Sequence, residues 1–290
     1  MNNIELRVVR AFTAGGQGGN PAGLVLDADH LSSPQKQAIA TAAGLSETAF
    51  VSASGVASLK LEFFTPRRQI AHCGHATIAT FGYLSATGRL ADGMHSKETI
   101  DGVRHVRVAG GRAAMQQRSP RYSEVDAAAV LDALRLAPTE VLGAFAPTRV
   151  DTGNGFVLVG VRSSTVLAAL VPDLQRIEAL SEAYALVGFY VFSLAPGDGL
   201  DATARMFAPR FGIDEEAATG MAAGPLACLL YARGGPSSVR IEQGRHMPQP
   251  SPSLLEAELC LAPGGLVTDL WVAGEARLEA TRRIHLGDPQ

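Results

Sequence analysis

A pattern in the first quarter of the chain returns almost half a chain later in the same order. Phe64-Thr65-Pro66-Arg67 followed by Cys73-Gly74-His75-Ala76 is echoed by Phe207-Ala208-Pro209-Arg210 followed by Thr219-Gly220-Met221-Ala222. Phe207 lies 143 residues after Phe64, and Gly220 lies 146 after Gly74, against a half-length of 145. A repeated strand, proline turn and glycine-led helix restricts the fold to two similar halves. Two such halves predict a cleft between them of the kind that takes small molecules. A chance match of short patterns is the alternative. The halves are expected at residues 1–118 and 119–276, with about 277–290 returning to the first, and polar Gln117–Glu124 is the expected linker.

Hydrophobic periodicity fills in the elements. Glu5–Thr13 and Pro21–Leu26 read as strands around the turn Gly15–Asn20. Ser32 or Ser33 before Pro34 starts a helix over Gln35–Ala43 that Gly44 ends. Leu45–Val51 and Leu59–Phe64 read as strands, His75–Leu84 as a helix, and Val103–Val108 and Arg112–Gln116 as strands, giving β-β-α-β-β-α-β-β. In the second half, Val130–Leu134 and Asp173–Ala179 read as surface helices and Gly224–Ala232 as a third helix. Strands are expected at Phe156–Val161, Gly188–Ser193, Thr203–Phe207 and Ser238–Glu242.

Composition narrows the class of function. With 47% hydrophobic and 18% charged residues the chain folds around a real core. A net charge of -3 and no basic stripe interleaved with aromatics argue against nucleic acid as a partner. The uncharged stretches Ala183–Gly197 and Ala217–Ala232 are 15 and 16 residues, short of the roughly 20 a membrane helix needs. No membrane association is expected. No apolar stretch with a cleavage site follows Met1–Arg10, so no export signal is expected. Three cysteines without CxxC spacing predict a reducing, cytoplasmic setting without disulfides.

Several constellations can carry chemistry. Gly74 and Gly220 each open a helix whose free amides suit a carboxylate or phosphate; close helix–strand packing is the other reason for glycine there. Glu47, among apolar Leu45, Ala49 and Phe50, reads as a largely buried strand acid. Burial favours a carboxyl's protonated form, which suits a group that takes a proton from carbon and returns it; a solvated edge-strand acid is the alternative. His75 is placed to donate to a substrate carboxylate or to bond backbone. Glu215 and Glu216 complement the second helix start or bind a substrate ammonium or hydroxyl. His72-Cys73-x-His75 crowds three possible ligands together, but no second cluster has metal-ligand spacing, so no metal is expected. Nucleotide-binding signatures are absent.

Together, Gly18-Gly19-Asn20-Pro21-Ala22, Leu45-Ser46-Glu47-Thr48-Ala49-Phe50, Phe64-Thr65-Pro66-Arg67, Cys73-Gly74-His75-Ala76-Thr77 and Glu215-Glu216-Ala217-Ala218-Thr219-Gly220 resemble the phenazine-biosynthesis PhzF-like family, in order from about residue 8 to beyond Gly244. The resemblance implies an α+β, diaminopimelate-epimerase-like fold. Two pseudo-symmetric halves each wrap a curved sheet around a central helix, with the active site between them. It also implies a homodimer and no cofactor. The family's best-known member isomerises trans-2,3-dihydro-3-hydroxyanthranilate, and its catalytic glutamate matches Glu47. By the same resemblance His75 and Gly74 lie against a small carboxylic acid, with Asn20, Ser46, Glu216 and Met221 lining it, and Thr219-Gly220 supplies amides to its carboxylate.

Some positions depart from the family. Glu216 stands for an aspartate, Met221 for a serine, and Gln249 for an arginine, which disfavours the phenazine precursor if those positions line the pocket. A binding protein without catalysis, or an epimerase with another second base, are the alternative readings. Epimerase relatives use two cysteines; Cys73 matches the first, but none stands near Met221, so Cys73 reads as a small buried filler.

Overall fold

The computed structural model describes residues 3–197 and 199–285. Two compact units emerge, one running to Gln116 and resumed at Ala273, the other spanning Gln117–Val272.

The first unit opens with β1 (Asn3–Thr13) and β2 (Asn20–Val25), antiparallel around the glycine turn. Helix α1 (Ser33–Ala43) starts where expected: the Ser32 amide donates to Gln35 Oε1 at 2.9 Å, Pro34 occupies its first turn, and Gly44 ends it at φ 64°. Then β3 (Thr48–Ser52) pairs parallel with β2 and antiparallel with β4 (Leu59–Phe64). After the short β5 (Gln69–Ile70), α2 (Gly74–Ala86) precedes the meander β6 (Gly93–Thr99), β7 (Gly102–Ala109) and β8 (Arg112–Arg118). Strands β5 and β6 went unread because their polar, half-exposed residues lack an apolar stripe.

The second unit comprises β9 (Arg121–Ser123), α3 (Ala127–Leu134), β10 (Thr148–Asp151), β11 (Gly155–Val161), α4 (Ser164–Ala169), α5 (Leu174–Ala183), β12 (Gly188–Gly197), β13 (Leu200–Ala208), β14 (Ile213–Glu216), α6 (Gly220–Ala232), β15 (Ser238–Gln243), β16 (Ser253–Leu261) and the first residues of β17 (Val267–His285). From Glu275 to His285, β17 pairs antiparallel with β1. The expected linker is instead strand at both ends. Arg121–Ser123 pairs with β10, and the Arg118 amide donates to the Thr152 carbonyl at 3.1 Å. Pro120 only interrupts the strand, as proline does at a ladder's margin.

Each unit surrounds one helix that is apolar on every side. Ten of the thirteen residues of α2 are buried, against β1, β2, β3 and β7; ten of thirteen of α6 are buried, against β10, β11, β15 and β16. A helix without a polar face is stable only when enclosed. The buried hydroxyls of Thr77 and Thr80 donate to the carbonyls of Cys73 and Ala76, at 2.6 and 2.7 Å, so enclosure strands no donor there. Outer helices cover the sheets: Ile39 and Ala40 of α1 pack with Leu6, Phe50 and Phe64, while Val130, Leu134, Leu167 and Ile177 pack with Val157, Val159 and Phe189.

Candidate active site

In the first unit Glu47 lies one residue before β3, not within a strand. Its carbonyl accepts from the Gly23 amide at 2.9 Å, and a Cβ on Gly23 would come within 2.6 Å of Thr48 Oγ1. Only glycine lets β2 approach closely enough to anchor this turn. Glu47 is 7% exposed, and its Oε2 lies 3.3 Å from His75 Nε2. That approach is off the line of a hydrogen bond, and Oε2 has no donor. His75, 4% exposed in the first turn of α2, presents Nδ1 to Cys73 Sγ at 3.6 Å. Glu47, Cys73 and His75 thus converge, their donor atoms within 4.8 Å of one another. Gly74 opens the helix between Cys73 and His75, and Asn20 is buried at the head of β2 opposite Ala11. Ser46, although next to Glu47, is exposed.

Behind this cluster sits a feature with no sequence signal. Lys97 of β6 is fully buried; its Nζ donates to Thr77 Oγ1 at 2.6 Å, lies 3.3 Å from His72 Nδ1 and stands 5.2 Å from the centroid of the Phe63 ring. Burial, reinforced by Arg104 and opposed by Cys73, pulls its pKa from 10.5 to about 7. Burial, with Lys97 and Arg104, holds His72 well below the ordinary imidazole range. The chain Lys97 to Thr77 to the Cys73 carbonyl braces the turn that leads into α2.

The second unit builds its helix start around Gln243, at the end of β15. Gln243 Oε1 accepts from the Thr219 amide and from Tyr190 Oη, both at 3.0 Å, while Nε2 donates to the Glu216 carbonyl at 2.7 Å and to Thr219 Oγ1 at 3.0 Å. Thr219 Oγ1 in turn donates to Glu216 Oε2 at 2.5 Å. The Thr219 amide is therefore engaged internally. What the turn offers an anion comes from the amides that follow it at the head of α6, Gly220 and Met221, of which Met221 is partly exposed.

Beneath that turn, Gln117 Nε2 donates to the Gly220 carbonyl at 2.8 Å, and a Cβ on Gly224 would come within 2.3 Å of Gln117 Oε1. Of the two acids upstream, Glu215 is bound by Arg205 in a two-pronged buried pair with both contacts at 2.8 Å, so it is structural. Gln249 is exposed, and Arg245, four residues before it, is held by Glu242.

Comparison with known proteins gives the family of the chain. The phenazine biosynthesis-like protein family, PhzC-PhzF, matches residues 9–280. The chain is 32% identical over 230 residues to the uncharacterized isomerase YddE of Escherichia coli O157:H7, covering 77% of each chain. It is 31% identical over 295 residues to the trans-2,3-dihydro-3-hydroxyanthranilate isomerase of Pseudomonas aeruginosa, covering 96% of this chain and 98% of that one. A crystal structure of a PhzF-family phenazine biosynthesis protein from Bacillus anthracis superposes with a TM-score of 0.89 at 23% identity, covering 99% and 100% of the two chains. The fold is the α+β, diaminopimelate-epimerase-like one.

Proposed function

Because the chain belongs to the phenazine biosynthesis-like (PhzC-PhzF) family and is an isomerase, we propose that it moves a proton between two carbons of a small carboxylic acid resembling trans-2,3-dihydro-3-hydroxyanthranilate, with Glu47 as the carrier and no cofactor. The observation that carries this reading is the buried Glu47 carboxylate, whose Oε2 has no hydrogen-bond donor and lies 3.3 Å from His75 Nε2. A carboxylate oxygen held out of water and left unclaimed is a base kept for a substrate proton. A C–H bond of the substrate breaks, its electron pair shifts the adjacent double bond, and Glu47 returns the proton to a second carbon on the same face. His75, beside the carboxyl, donates to the substrate. Gly74 admits the substrate to the backbone, and Asn20 and Ser46 complete that part of the site.

The amides after Thr219 take the substrate carboxylate, with Thr219 and Glu216 fixing the turn. Glu216 and Met221, longer and bulkier than the residues they replace, shift preference away from the phenazine precursor. The enzyme works as a homodimer in the cytoplasm.

The test is a product assay by NMR with trans-2,3-dihydro-3-hydroxyanthranilate and a panel of small amino and hydroxy acids. General acid–base groups contribute roughly 10²–10⁴-fold, so Glu47→Gln is expected to lose that much turnover. Wild-type rates in Glu47→Gln, or substrates that bind and return unchanged, overturn the proposal.

A further inference from the structure

Proton transfer employs Glu47 and His75 but gives Cys73 no task, although its Sγ is the third donor of the same buried cluster. The three residues are 7%, 4% and 6% exposed, and their donor atoms lie within 4.8 Å of one another. Independently, Glu47 Oε2 is buried without a hydrogen-bond donor, a position that a cation satisfies as well as a substrate proton does. A tetrahedral ion with bonds of about 2.0–2.1 Å separates its oxygen and nitrogen ligands by about 3.3 Å, and Glu47 Oε2 to His75 Nε2 is 3.3 Å. Cys73 Sγ faces the other ring nitrogen, Nδ1, at 3.6 Å, so an ion held by all three requires the imidazole to turn one nitrogen toward both partners.

One thiol, one imidazole and one carboxylate form the mixed S, N, O set of a borderline-soft divalent ion; calcium and magnesium prefer oxygen throughout. His72, the ligand that local spacing offered, is engaged through Nδ1 by Lys97. The third donor comes instead from Glu47, 26 residues before Cys73.

We propose that Glu47, Cys73 and His75 form a zinc-binding site whose occupation switches the isomerase off. On binding, the Cys73 S–H bond breaks, an S–Zn bond forms and the proton leaves to solvent. Glu47 coordinates through the carboxylate that otherwise takes the substrate proton, so metal and turnover exclude each other. The switching part rests on the reading of Glu47 as base; the binding part rests on the closeness of the three donors, with the imidazole turned to meet the ion.

The test titrates Co²⁺, as a spectroscopic stand-in for zinc, into the full-length chain after chelator treatment. Expected are a thiolate-to-cobalt absorption in the near ultraviolet and the visible bands of a tetrahedral ion, saturating at one Co²⁺ per chain and erased by Zn²⁺. Cys73→Ser is expected to lose the near-ultraviolet band, and Cys228→Ser and Cys260→Ser to keep it. Should Cys73→Ser fail to fold, Glu47→Gln is read instead, by competition with a chromophoric chelator, with zinc affinity expected to fall about tenfold or more. No cobalt band in the wild type, a band that survives Cys73→Ser, or unchanged affinity in Glu47→Gln overturns the site. Stoichiometric Zn²⁺ is expected to abolish turnover and a chelator to restore it. Full turnover with zinc bound overturns the switch. The cobalt readout needs no substrate, so it fails or succeeds separately from the isomerase reading.

Discussion

Glu47 and Lys97 are both buried in the first unit, but the sequence exposes only one of them. Glu47 stands in an apolar run beside a recognisable motif, and a carboxyl there invites a functional reading. Lys97 sits in Gly93–Thr99, a strand of mixed polar residues with no apolar face, and nothing local says that it is enclosed. Enclosure comes from Phe63, His72 and Thr77, all more than 19 residues away in sequence. The consequence is a pH signature. Lys97 is depressed from 10.5 to about 7 in the folded chain, so between those values the unfolded chain binds more protons. Its burial burdens stability fully below pH 7, and that burden fades as pH rises toward 10.5. Lys97→Met removes it. The stability difference between Lys97→Met and wild type, measured by denaturant unfolding from pH 7 to 10, is expected to shrink in the mutant's disfavour by up to about 1.4 kcal/mol per pH unit. A difference independent of pH contradicts the assignment.

Elements were legible where one face is apolar or a cap is explicit, as in Leu59–Phe64, which matches the observed strand, and Ser33–Ala43 with its Gly44 stop. They were missed where pairing alone makes the strand: Gly93–Thr99, Thr148–Asp151, Ile213–Glu216, and Arg121–Ser123 inside the expected linker. The helix starts were visible as glycines, whereas what fixes them was not. Gln243, one residue past the expected strand Ser238–Glu242, satisfies the Thr219 amide, the Glu216 carbonyl and the Tyr190 hydroxyl together. Gln243→Ala leaves those buried groups unpaired, at roughly 1–3 kcal/mol for each one stranded. It is expected to unfold at lower denaturant and to raise KM for the anionic substrate more than it lowers kcat. An unchanged KM in a folded Gln243→Ala protein contradicts the role given to this turn.

At the scale of the whole chain, duplication was readable because both helix starts keep a glycine about half a chain apart. The return of about 277–290 to the first half was expected, but its register, β17 from Glu275 to His285 against β1, rests on long-range pairing that no local pattern announces. Ending the chain at Val272 strips β1 of its antiparallel partner from Glu275 to His285. Such a truncation is expected to lose cooperative unfolding of the first unit, seen by hydrogen exchange in β1, while Gln117–Val272 keeps its protection. Sedimentation at micromolar concentration is expected to show a species of twice 30.3 kDa; a 30.3 kDa species removes the proposed dimer.

The most direct test of the central claim follows deuterium from D2O into substrate carbon by NMR, with wild type beside Glu47→Gln. Isomerised product in wild type only, with solvent label at the carbon that gains the proton to the extent that Glu47 exchanges before delivering it, is the predicted result. Label entering at equal rates with Glu47→Gln contradicts it.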